Sequence, residues 1–147
     1  MDLKTLRLAS LQLSPARLDA FVVYQRAMLE ALSKPGADDW SGRLAFAHAQ
    51  ALRASGLDPG EYGKLKSLVA DFCGRRSTYF AVKEKAELGA GAQRDRALAE
   101  LPRLDDLTTF AQRYGEEALA QLRAREEELL SLHRELARRE GKGHLHG

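Results

Sequence analysis

The last quarter of this chain constrains its fold more than any other part. From Leu104 to Leu136 apolar residues recur at helical spacing with almost no turn signals. The densest stretch holds Leu119, Leu122, Leu129, Leu130, Leu132 and Leu136, set among Arg123, Arg125, Glu126, Glu127, Glu128, Arg134 and Glu135. A helix with one leucine face and one charged face must bury the first against something.

The remaining composition supports helices throughout. The chain has 147 residues, enough for one domain with a substantial core. Ala, Leu, Arg and Glu dominate, and such side chains lose little rotamer freedom in a helix. Runs rich in Val, Ile or Thr, the usual material of sheets, are absent.

Local signals divide the chain. Ser14-Pro15 reads as a cap followed by a first-turn proline. Leu18, Phe21, Val22, Gln25, Met28, Leu29 and Leu32 then mark one helix face, ending near Ser33 before Pro35-Gly36. Asp38-Asp39-Trp40-Ser41 opens a second helix, with Trp40, Leu44, Ala47, His48, Ala51 and Leu52 on one side and Gly56 as its stop. Asp58-Pro59-Gly60-Glu61 is the strongest start signal: a capping aspartate, a proline, and a glutamate three residues after the cap. The third helix follows to Leu88, with Gly74 as an interruption. Gly89-Ala90-Gly91-Ala92 is a break, residues 93–100 read as a short helix before Pro102, and a last helix is expected from Arg103 to Glu140 with Gly115 as its weak point.

These readings predict an all-α fold: an elongated antiparallel bundle of about four helices with long third and C-terminal helices. Residues 1–13 are expected as an N-terminal arm, 14–140 as a single helical-bundle domain and 141–147 as a flexible tail. A straight helix over 103–140 would be about 57 Å long and one over 59–88 about 45 Å. A compact chain of this size is about 40 Å across. Either the glycines bend these helices or an end projects. The stripe is also not a strict heptad, since two successive steps of four around Ala118 form a stutter that unwinds a left-handed supercoil.

Charge and motifs exclude several classes of function. Residues 1–57 hold seven bases and five acids, 58–100 eight and seven, and 101–147 eight and nine, so no third is basic enough to point to nucleic acid. No apolar run approaches the ~20 residues of a membrane span, and Met1–Leu13 lacks a continuous signal-peptide core. The cytoplasm is the expected location; the alternative is export after removal of a signal peptide. Gly60-Glu61-Tyr62-Gly63-Lys64 lacks the spacing and the preceding strand of a phosphate loop. His48, His133, His144 and His146 form no metal-ligating pattern, and no metal or cofactor is expected. Cys73, the only cysteine, sits beside Phe72 and reads as core. Arg75-Arg76, Lys83 and Lys85 interleave with Tyr79 and Phe80, but Glu84 and Glu87 dilute their field.

Arg76 and Arg125 disturb otherwise apolar faces. If the third helix packs antiparallel to 116–140, Arg76 falls near Arg125–Glu128. This predicts a polar layer of Arg76, Arg125, Glu126, Glu128 and His133, with Arg76 paired to Glu126 or Glu128. The expected function is a non-enzymatic protein–protein interaction or assembly module acting through the C-terminal helix, with a protein partner or a second copy; Leu119, Leu122, Leu129, Leu132 and Leu136 are expected as an interface or core stripe, Leu122, Leu129, Leu132 and Leu136 being buried against the third helix. The alternative is a small-ligand-binding or chaperone-like bundle with an apolar pocket edged by Arg76 or Arg125.

Overall fold

The computed structural model describes residues 13–33 and 39–146, with side chains as far as Glu140. All regular structure among them is α-helical: α1 (Pro15–Ser33), α2 (Trp40–Ser55), α3 (Pro59–Leu88), α4 (Gly91–Asp105), α5 (Thr108–Tyr114), α6 (Glu116–Ala124) and α7 (Glu126–His146). The expected arm, apart from Leu13, and the turn at Pro35-Gly36 lie outside the described residues.

Polar groups satisfy several of the termini of the first three helices. Ser14 Oγ accepts from Arg17 N at 3.2 Å, and Pro15 takes the first turn. Gly56, at φ +73°, closes α2 in the left-handed region, its N–H donating to Leu52 O at 3.0 Å. Asp58 Oδ1 accepts from Glu61 N at 2.9 Å and opens α3, which runs unbroken through Gly74.

The C-terminal third differs from the expectation. In place of one helix over 103–140 there are three breaks. The first lies at Asp106-Leu107, where Asp106 Oδ1 accepts from both the Thr108 backbone N–H and the Thr108 hydroxyl, at 3.0 and 2.6 Å, and starts a new helix. The second is Gly115, at φ +99° and ψ 148°, a conformation essentially restricted to glycine. The third is Arg125, where the backbone leaves helical geometry for one residue. The 93–100 helix also ends later than expected, because α4 continues through Pro102 to Asp105. The proline removes the N–H that would bond the Leu98 carbonyl, but the helix passes this point at the surface.

The breaks let the chain fold its leucines back on itself. α7 packs against both α1 and α3, α2 lies on α1, and α4 lies on α3. Leu18, Phe21, Met28, Ala47 and Ala51 meet Leu65, Val69, Phe72 and Cys73 in one core, completed by Phe110, Leu122, Leu129 and Leu130 from the C-terminal third. Leu129 is fully buried in the isolated chain, so Leu129→Ala is expected to cost about 3 kcal/mol in urea unfolding. A loss below about 1 kcal/mol would mean that this leucine is not packed in the core as described.

Candidate functional site

The residues singled out from sequence fall into separate places. Leu122 and Leu129 are fully buried, while Leu119, Leu132 and Leu136 are half-buried and pack against the core. Their face is therefore covered, wholly or in part, by the chain's own helices.

Arg76, 5% exposed, donates through Nε to Glu126 Oε1 at 2.6 Å and through Nη1 to Asp105 Oδ1 at 2.8 Å. Its guanidinium carbon lies 4.6 Å from the Tyr79 ring centre and 5.1 Å from that of Phe80. Burial opposes its charge, but the hydrogen bonds to Glu126 and Asp105 outweigh that and hold its pKa above the ordinary arginine value. Arg125 belongs to a different cluster. It bonds Glu128 at 2.7 Å and Asp19, and Glu128 also accepts from Arg26 at 2.7 Å. Of the two carboxylates considered for Arg76, only Glu126 is its partner. His133 joins neither cluster; it lines a cavity instead.

That cavity, of about 140 Å³, lies where α1, α3 and α7 meet. Phe21, Tyr24, Gln25 and Met28 come from α1 by the 3-4 spacing of one helix face. Tyr62, Lys66, Val69 and Ala70 face them from α3, and His133, Leu136, Ala137 and Glu140 from α7. Lys66, Ala70, Ala137 and Glu140 are exposed, so the mouth opens between α3 and α7. Neither Arg76 nor Arg125 lines it, which corrects the expected pocket edge.

The inner wall is aromatic. Tyr24 and Tyr62 ring centres are 4.4 Å apart, with Phe21 6.1 Å from Tyr24 and His48 4.9 Å from Tyr62. The Tyr24 hydroxyl and His48 Nδ1 share a hydrogen bond. Burial, above all, raises the Tyr24 pKa far beyond the ordinary phenol range, and Tyr62 and Glu140 add to it, so Tyr24 stays protonated.

Gln25 is the buried polar residue of the lining. It is 3% exposed, and its Oε1 has no hydrogen-bond partner. That oxygen is also inaccessible to water, so its missing donor is a cost of about 1–3 kcal/mol borne within the core. The signal was present in the sequence as a glutamine within the apolar stripe of α1. Tyr62, Lys66 and Glu140 carried no such signal, because only the crossing of α3 and α7 brings them together. Cys73 takes no part: it is fully buried and its thiol is pushed up to about 12, chiefly by burial.

Compared with protein-family models, curated proteins and solved structures, the chain matches none. Function must be read from the geometry itself.

The Arg125 cluster yields a pH signature. The hydrogen bond from Arg125 holds the Glu128 carboxyl below its ordinary value of 4.5, and Arg26 adds to this. The stability it contributes is complete above 4.5 and is lost as pH falls through the lowered value. Glu128→Gln is expected to cost at most about 1 kcal/mol at neutral pH, since the pair is partly hydrated. The gap from wild type should close in thermal melts as the solution is acidified below pH 4.5.

Proposed function

We propose that the chain is a non-enzymatic helical bundle that binds a small ligand in the cavity between α1, α3 and α7. The observation that carries this reading is the enclosure itself, a cavity of about 140 Å³ with an aromatic wall and with Gln25, His133, Lys66 and Glu140 as the polar members of its lining. Ligand sites combine such an apolar enclosure with few, well-placed polar groups. An engineered cavity of ~150 Å³ in another protein accepts a benzene ring, so a space of this size takes about one ring. Nothing in the lining pairs a nucleophile with a base, and binding without turnover is the simplest use of it.

A second reading, the protein–protein interaction or assembly module, is favoured by a different surface from the one expected. Leu88, at the end of α3, is 79% exposed, and Leu98 of α4 is 45% exposed. Leu88 lines a groove between α3 and α4, apart from the C-terminal leucines.

A fragment screen tests the first reading. One-ring compounds should raise the melting temperature by about 5–10 °C at a hundred times their Kd. Ala137→Phe, which places a ring at the exposed mouth, should abolish the response while leaving the unliganded melting temperature within a few degrees. If no fragment stabilises the wild-type protein, or if Ala137→Phe leaves the responses intact, the cavity is not a binding site.

A further inference from the structure

We infer that the groove between the end of α3 and α4 is a self-association surface, occupied by the same groove of a second copy of this chain across a twofold axis. This does not depend on the ligand cavity. It rests on the interaction reading of the surface given above and names the partner.

The groove has a volume of about 730 Å³. Ala81, Val82 and Leu88 line it from α3, and Ala97 from α4. Leu88 is 79% exposed, the most exposed large apolar side chain among the described residues. The chain itself does not cover it. α4 has α3 as its one extensive contact, and Ala86 and Ala97 are the side chains buried there. Two helices that meet through alanines leave their flanks open to water. Two such hairpins that bury each other's flanks form a four-helix arrangement.

Charge selects the second copy. A twofold contact lays a patch against itself, so a patch of one sign repels its copy and a balanced patch does not. The groove carries two acids, Glu84 and Glu100, and two bases, Lys85 and Arg96, all four exposed. Among the described residues Glu84, Lys85 and Arg96 have no ion-pair partner, and Glu100 has only Arg103, at 3.9 Å. A partner of one strong charge would leave half of these groups opposed, whereas an identical groove answers both signs.

The spacing along α3 is self-complementary as well. An antiparallel contact of α3 with its copy, centred between Glu84 and Lys85, sets each glutamate against the other copy's lysine. Ala81 and Leu88 are equidistant from that centre, so each leucine falls on the other copy's alanine, where a small side chain leaves it room. Within 81–88 no two like charges meet in this register. Exposed ion pairs contribute little by themselves, so the apolar contact supplies the affinity and the charges set the register.

The test is sedimentation velocity with light scattering on the full chain over a concentration series. Wild type is expected to pass from monomer to dimer as concentration rises. Leu88→Glu should weaken the dimer by at least about a hundredfold, because the twofold counts the substitution twice. Its thermal melt by circular dichroism should match that of the wild-type monomer, since Leu88 is exposed, and this separates lost assembly from lost folding. Glu84→Lys and Lys85→Glu, each alone, bring like charges together and should weaken the dimer about tenfold. Combining the two restores opposite charges across the axis and should recover most of that loss. A wild-type monomer up to about 1 mM, a dimer that Leu88→Glu leaves intact, or a double variant no better than the singles overturns the proposal. None of these outcomes bears on the ligand cavity, and a monomeric wild type still leaves this surface to a partner of different sequence.

Discussion

One guanidinium holds the C-terminal third in place. Arg76, in the middle of α3, bonds the last residue of α4 and the first residue of α7 at once. Between those two anchors the chain makes two helices of 7 and 9 residues, each too short to persist alone in water. With both ends pinned, Phe110 and Leu122 enter the core and α7 is aimed along α3. The arginine is enclosed by Tyr79 and Phe80, so its charge is shielded from water and committed to the two carboxylates.

Much of the secondary structure was legible because its punctuation is chemical. Ser14-Pro15, Gly56 and Asp58-Pro59 act locally, through caps and φ restrictions, and need no knowledge of the rest of the fold. The C-terminal breaks were harder. Gly115 was visible as a weak point, but whether a glycine inside a helical pattern bends or stops a helix depends on what the flanking turns pack against. Arg125 carried no breaker signal at all. It leaves helical geometry where its guanidinium meets Asp19 and Glu128, partners from α1 and α7 that only the tertiary fold supplies.

The cavity shows the same division. Its α1 wall could be read from spacing, and Gln25 was the residue out of place within it. The opposite walls come from α3 and α7, which run antiparallel: Arg76 meets Glu126 at one end, and Tyr62 and Glu140 border the same space at the other. Pairing a third-helix face with a C-terminal face was within reach of the sequence. Locating a gap between them was not, because a gap depends on side-chain volumes at a crossing rather than on periodicity. His133 illustrates this. It sits on the leucine stripe among residues that looked like one polar layer, yet it faces the cavity with Leu136 while Arg76 and Arg125 occupy two other sites.

The α3–α4 hairpin gives the molecule two levels of cooperativity. α4 packs extensively on α3 alone, and the residues buried between them are as small as Ala86 and Ala97. Separating the two helices therefore uncovers little apolar surface and leaves the core around Phe72 and Leu129 intact. The last turns of α3 and the part of α4 before its Asp105 anchor are expected to open at a lower free energy than the core. Amide exchange along α3 should accordingly pass from global to local control partway down a single continuous helix, with Arg76, the residue that fastens α4's end, close to that boundary.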